Sequence, residues 1–172
     1  MEKTEIQRIL VVSDTHRYTA LIDEVLKIEE PVDILVHCGD AEYNNLESRY
    51  QKTIPRVYAV NGNMDWGGAY EKEVVFKALW CNFFVTHGHE YGVKYTRDTL
   101  YEAGRERQAD VVLFGHTHVP EQTEKNGILI LNPGSLAEPR QSGRQKTYAV
   151  IEVSADGSPP KVSMKVLERE ML

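Results

Sequence analysis

Apolar residues fall along this chain in short runs that stop at Gly, Asp, Asn or His. Ile9-Leu10-Val11-Val12 ends in Ser13-Asp14-Thr15-His16. The run 32–36 ends in His37-Cys38-Gly39-Asp40, and 57–60 ends in Asn61-Gly62-Asn63-Met64-Asp65. Continuous apolar runs of this length predict strands covered on both faces. Between the first two, Leu21, Ile22, Val25, Leu26 and Ile28 recur at helical spacing, and Pro31 blocks continuation. Residues 44–52 are polar, with Leu46 and Tyr50 four apart, and predict a short helix. Strand, helix, strand, helix, strand implies a parallel sheet with right-handed crossovers. Ligands of such sheets collect beyond the carboxyl ends of the strands.

The middle of the chain changes character. Residues 71–76 and 82–85 predict a hairpin, and the second strand runs into Thr86-His87-Gly88-His89. A charged helix is expected over 96–107, with Leu100 and Ala103 on its inner face. Val111-Val112-Leu113-Phe114 then leads into Gly115-His116-Thr117-His118. Were that tetrapeptide extended, residues two apart would face the same way and both imidazoles would reach one point. The last third is β-rich. Asn126-Gly127 is a hairpin signal, strands are expected at 128–131, 147–153 and 161–167, and Asn132-Pro133-Gly134-Ser135 makes a sharp turn. Residues 137–146 predict an exposed, mobile loop. No repeat or linker interrupts the chain, so one domain over 1–172 is expected.

Composition narrows the function classes. The 172 residues are 41% hydrophobic and 27% charged, as in an ordinary globular protein, with a net charge of −6. That charge argues against binding extended nucleic acid. No apolar run approaches the roughly 18 residues of a membrane span. The start, Met1-Glu2-Lys3-Thr4-Glu5, is charged rather than apolar, and Cys38 and Cys81 stand alone in apolar runs. Buried free thiols and a cytoplasmic location are expected.

Seven oxygen and nitrogen donors follow the β-like runs: Asp14, His16, Asp40, Asn63, His87, His116 and His118. Singly, such residues have ordinary explanations. A histidine at a strand end is often satisfied by a carbonyl, and an Asp there often caps a helix. As a set they are mixed imidazole and oxygen donors without thiolate, which suits Mn, Fe, Ni or Zn better than Mg or Ca.

The order Asp-x-His, Gly-Asp, Gly-Asn-x-Asp, Gly-His, Gly-His-x-His resembles the calcineurin-like metallophosphoesterase family, and its short length resembles the small bacterial and archaeal phosphodiesterases of the YfcE/YsnB type. The resemblance runs from Asp14 to His118, and Asn132 to Ser135 extends it. It implies a four-layer α/β/β/α sandwich, two mixed sheets flanked by helices. It implies two divalent metals, with manganese first and nickel, iron or zinc as alternatives. Asp14, His16 and His118 would hold one, Asn63, His87 and His116 the other, and Asp40 would bridge. The implied reaction is phosphodiester hydrolysis by hydroxide shared between the metals, with Asp40 and Asn63 at the reacting centre. The implied substrate is a small phosphodiester or nucleotide-like molecule.

The pattern departs from larger relatives at Gly62-Asn63-Met64-Asp65, where many read Gly-Asn-His-Glu. Methionine donates no proton there, which tilts the expectation to diesters over monoesters. His89 is either a substitute acid or a supporting histidine. Asp65 either orients a ligating histidine or caps a segment. Arg17, Arg140, Arg144 and Lys146 either meet an anionic substrate or are solvated. Trp66, Tyr70 and Tyr91 either line a base-stacking pocket or pack. His37 reads as a hydrogen-bonded core histidine. A homodimer contact is conceivable on the 71–85 hairpin through exposed aromatics. Two other functions remain open: a phosphomonoesterase, and a protein-binding scaffold like the retromer subunit that resembles this family.

Overall fold

A computed structural model describes residues 2–168. The first sheet has the order β10-β9-β1-β2-β3, built from Lys161–Val166, Thr147–Ser154, Ile6–Val12, Ile34–His37 and Arg56–Ala59. The second has the order β4-β5-β6-β8-β7, built from Glu73–Ala78, Cys81–Thr86, Val111–Leu113, Ile128–Pro133 and Pro120–Lys125. Both are mixed. β1, β2 and β3 run parallel, as do β5, β6 and β8, while the outer pairs β10-β9, β4-β5 and β7-β8 are antiparallel.

The continuous apolar runs serve two faces. Ile9, Val11, Ile34 and Val36 meet Phe83, Val85, Val111 and Leu113 in the layer between the sheets. Tyr58, Phe76 and Phe83 stack there, with centroids 4.3 and 4.8 Å apart. Alternate residues Leu10, Val12 and Leu35 face outward onto α1 (Thr19–Glu29) and α2 (Leu46–Tyr50). Phe84 and Val112 face α3 (Asp98–Glu106) on the far side. Helix, sheet, sheet, helix is therefore the layer order, as the resemblance implied. Gly104 lets α3 approach β6 closely: a Cβ there would lie 2.5 Å from Val112 Cγ2.

Two expectations need correction. The polar strand β7, of sequence PEQTEK, forms the hairpin with β8 that Asn126-Gly127 signals, but its lack of alternating apolar residues hid it. The 71–85 hairpin does not expose its aromatics: Phe76, Phe83 and Phe84 are buried, and Trp80 is half-buried with its indole N–H donating to Ser154 O at 2.8 Å. In the loop 137–146, residues 138, 140 and 142–145 are exposed, and Arg140 N–H is tied to His118 O at 3.0 Å. No helix among the described residues is long and apolar enough to cross a membrane.

Candidate metal centre

The parallel strands of both sheets end at one place. β1 delivers Asp14 and His16, β2 delivers Asp40, and the segment after β3 delivers Asn63. From the second sheet, β5 delivers His87, and β6 delivers His116 and His118. Backbone bonds hold these ends together: Asp14 N–H to Gly39 O (3.0 Å), His16 N–H to Asp40 O (3.0 Å) and Gly115 N–H to His87 O (3.0 Å). Glycines are required at the crossings. A Cβ on Gly39 would lie 2.4 Å from the His87 ring, one on Gly62 2.0 Å from Asp40 Oδ1, and one on Gly115 2.1 Å from Ser13 Oγ.

The backbone is unusual here. Asp14, His16, Asp40, His116 and His118 all have positive φ, from 42° to 70°. Non-glycine residues adopt this region rarely, and such residues cluster at functional sites. This corrects the extended geometry expected of the Gly-His-Thr-His tetrapeptide. Because His116 (φ 70°) and His118 (φ 58°) turn left-handed, their imidazoles go to different neighbours. His118 joins Asp14, His16 and Asp40, whereas His116 joins His87 and Asp40; within each group the donor atoms lie within 4.8 Å of one another. Asp40 belongs to both groups. Asn63 Oδ1 sits 3.1 Å from His87 Nε2 and 3.0 Å from His116 Nδ1, which places it with the second.

Proton accounting shows what the arrangement needs. His16 donates its Nδ1 proton to Glu42 Oε1 at 2.8 Å, His87 to Cys38 O at 2.7 Å and His118 to Glu138 O at 2.7 Å. Their Nε2 atoms are then lone pairs. Yet His16 Nε2 and His118 Nε2 face each other at 3.3 Å. His118 Nε2 faces Asp14 Oδ1 at 3.1 Å, and His87 Nε2 faces Asp40 Oδ2 at 3.2 Å. Asp14 is fully buried. Its Oδ2 accepts from Ser13 Oγ–H (2.5 Å) and His116 N–H (3.1 Å), while Oδ1 has no hydrogen-bond donor. Acceptor faces acceptor throughout, and only positive charge resolves that. An extra proton on one ring serves one pair; a divalent cation serves the whole set. The residues therefore fit metal ions.

Titration follows the same contacts. Burial opposes ionisation of Asp40, but His87 and the Met64 N–H outweigh it and hold the carboxyl down at about 2. Burial likewise opposes the charge on Asp14, and His118, His87 and Ser13 outweigh it, lowering its pKa. Burial disfavours charge on His87 and His118, yet contact with Asp40 and Asp14 respectively raises both. His116 is pushed down to about 4 by burial and the charges of His87 and Lys94.

Several supporting roles were open in the sequence. Asp65 orients no histidine: its carboxylate accepts from the N–H groups of Asp40, Glu42 and Gly62 at 2.7–2.8 Å, bracing the loop that carries Asp40. Glu42, which no motif singled out, orients His16 and pairs with exposed Arg17 at 2.9 Å. His37 is buried, accepts from Gly39 N–H (3.1 Å) and contacts Thr15 Oγ1 (2.9 Å). Asn132 donates to Gly115 O (3.0 Å) and Ser135 to Asp14 O (2.8 Å), so that turn underpins the site. Tyr70 bonds to Tyr43 O and to the N–H groups of Asn45 and Leu46, and Tyr91 bonds to Glu73 and packs on Phe84, so neither forms a base-stacking wall. Trp66 is exposed. Cys38 and Cys81 are buried free thiols.

The site opens into a cleft of about 630 Å³. His16, Asp40, Asn63, His116 and His118 reach its wall. His89 is not among the described residues lining it. Its ring centroid lies 5.4 Å from that of His87 and 6.0 Å from that of His116, its Nδ1 has no partner, and burial and the His87 charge lower its pKa.

Two mixed sheets between helices, with imidazoles and carboxylates gathered at their common edge, form a candidate metal centre of the phosphoesterase type. Residues 8–156 match the calcineurin-like phosphoesterase superfamily domain, and the chain belongs to that superfamily. It is 36% identical over 151 residues to the probable metallophosphoesterase YsnB of Bacillus subtilis, covering 87% of this chain and 86% of that protein. A predicted phosphoesterase from Streptococcus pneumoniae superposes with a TM-score of 0.78 at 28% identity, covering 95% of this chain and all of the other. Vacuolar protein sorting 29 from Cryptosporidium parvum superposes with a TM-score of 0.76 at 18% identity, covering 95% and 99%; that likeness is one of fold.

Proposed function

We propose that this phosphoesterase-family protein is a phosphodiesterase that uses two divalent metals, manganese in preference to nickel, iron or zinc. The observation that carries the proposal is the convergence of unprotonated donors around the orphaned Asp14 Oδ1. Asp14, His16 and His118 would hold one metal, Asn63, His87 and His116 the other, and Asp40 would serve both. When bound, the metal pair neutralises phosphoryl charge and makes water acidic enough to supply hydroxide near neutral pH. The chain's own part is to keep the donors aimed. Glu42, Cys38 O and Glu138 O take the Nδ1 protons and so leave each Nε2 lone pair pointing inward. Asp40, held ionised, contributes negative charge between the two groups.

Among the described residues, no histidine outside the donor set lines the cleft to protonate the leaving group. Met64 occupies the position where larger relatives carry histidine, and His89 lies off the cleft wall with a lowered pKa. This favours diesters, whose single negative charge needs less neutralisation than a monoester's. The cleft's apolar walls at Tyr18 and Met64 suit a nucleotide-like substrate. The net charge of −6 speaks against extended nucleic acid, and the two free thiols suit the cytoplasm.

The test is hydrolysis of bis-p-nitrophenyl phosphate with Mn²⁺, against a chelator-treated control and Asp40→Ala. Turnover lost in both controls, and exceeding that of p-nitrophenyl phosphate, is expected. The reverse preference would make it a monoesterase. No turnover with any of the four metals would leave the scaffold reading, which the fold shared with vacuolar protein sorting 29 supports.

A further inference from the structure

Several basic side chains elsewhere on this chain are tied to carboxylates. Arg49 pairs with Asp23, Lys72 with Glu90, Arg97 with Glu121, and Arg107 with Glu73. At the cleft, Arg17 is likewise paired with Glu42. Two cleft cations differ. Among the described residues, Lys94 and Arg140 line the cleft with no carboxylate within ion-pair distance. Arg140 is held beside His118 by its N–H bond to His118 O (3.0 Å). Both cations therefore line the same cleft as His16, Asp40, Asn63, His116 and His118.

We propose that Lys94 and Arg140 form a second anion subsite, which selects phosphodiesters or nucleotides carrying a further phosphate over substrates with a single phosphate. This rests on the phosphodiesterase reading above. The chemistry matches: guanidinium meets two phosphate oxygens in a plane, and the lysine ammonium supplies a mobile point charge. Beyond Asp40, which belongs to the donor groups, and Glu42, already neutralised by Arg17, the cleft's remaining carboxylate is Glu138, which is exposed. It sets a local penalty on anions that the two cations offset. The scissile group alone does not require these cations, since the metals would meet its charge. A second phosphate does, because in their absence it would lie next to Glu138 without a counter-ion.

The probes are uridine 3′,5′-bisphosphate and uridine 5′-monophosphate. Binding is measured by calorimetry on the manganese-loaded protein, and as competition against bis-p-nitrophenyl phosphate. The wild type is expected to prefer the bisphosphate by about tenfold or more, and high salt should shrink the preference because the cations are exposed. In Lys94→Ala/Arg140→Ala the preference should fall close to unity. The variant's loss on the bisphosphate should exceed its loss on bis-p-nitrophenyl phosphate by about tenfold. A preference unchanged in the double variant overturns the proposal, because the bisphosphate would then be bridging the metals alone. Equal losses on both ligands also overturn it, since the cations would be serving the scissile group. A calorimetric preference that depends on Lys94 and Arg140, in a protein with no turnover, supports the subsite and overturns only the catalytic reading.

Discussion

Gly62 offers the most direct test of whether Asp40 is the shared carboxylate. Its φ is outside the left-handed region, so alanine carries no backbone penalty there. The penalty is steric: the new Cβ would lie 2.0 Å from Asp40 Oδ1, 2.5 Å from Asp40 N and 2.7 Å from Asp40 Cγ. Ordinary contact begins near 3.4 Å, so the carboxylate or its loop must retreat by about 1.4 Å. That movement also strains the bond from Met64 N–H to Asp40 Oδ1 (2.8 Å) and those from Asp40 and Gly62 N–H to Asp65. A catalytic group misplaced by about 1 Å costs on the order of a hundredfold in rate, whereas overpacking costs about 1–3 kcal/mol of stability. The comparison variant is Gly104→Ala, whose Cβ would meet Val112 Cγ2 at 2.5 Å on the helical face far from the cleft. It suffers the same class of clash, partly offset by about 1 kcal/mol from removing a helical glycine. The assay is kcat/KM on bis-p-nitrophenyl phosphate, with manganese affinity by calorimetry and the melting temperature of both proteins. Gly62→Ala should lose about a hundredfold in kcat/KM and weaken manganese binding; Gly104→Ala should lose only stability. If both lose activity in proportion to stability, Asp40 has no special place in the site.

Three further outcomes follow from the same contacts. Glu42→Gln keeps the shape but weakens the acceptor on His16 Nδ1, and should reduce manganese affinity by about 10- to 100-fold; unchanged affinity by calorimetry would mean His16 needs no orienting partner. His89→Ala should slow nitrophenolate and poorer leaving groups by the same factor, because His89 lies off the cleft wall; a selective loss for poor leaving groups in a substrate series would restore it as the acid. Glu29→Gln should destabilise by about 2 kcal/mol, since Glu29 is buried and contacts Arg8, Lys165 and Tyr148 at 2.6–3.0 Å while Arg8 and Lys165 are partly exposed. Burial opposes the Glu29 charge, but Lys165, Tyr148 and Arg8 outweigh it and lower its pKa. Its contribution is therefore full above the usual carboxylate range and lost as the pH falls through the lower folded value. Urea titrations across that acid window should show the variant's deficit shrinking as the pH drops; a constant deficit would remove the charge from the explanation.

The chain disclosed its sheets and its donors for one reason and hid its support for another. Ile9 to Val12 and Val111 to Phe114 are apolar without alternation because each strand has a helix or loop on one side and a second sheet on the other. That burial writes itself into residue type, so the strands could be read. The donors stood out because histidine and aspartate end those runs. What could not be read is whatever depends on backbone turn or on contacts distant in sequence. Nothing in Gly-His-Thr-His announces that both histidines take positive φ, and the extended geometry would have sent His116 and His118 to one point. The turn separates them, so that β6 alone furnishes a donor to each group. Glu42 was equally silent, because a glutamate two residues beyond Asp40 looks like any solvated charge. It matters only once the β1 loop folds over the β2 loop and brings His16 within 2.8 Å. β7 hid for a simpler reason: its residues are polar along their length, and it is held by pairing with β8 rather than by an apolar face. Sequence thus exposes which atoms are available to bind. Which lone pairs are left without protons, the fact that suits the site to a cation, is set by acceptors that only the fold brings near.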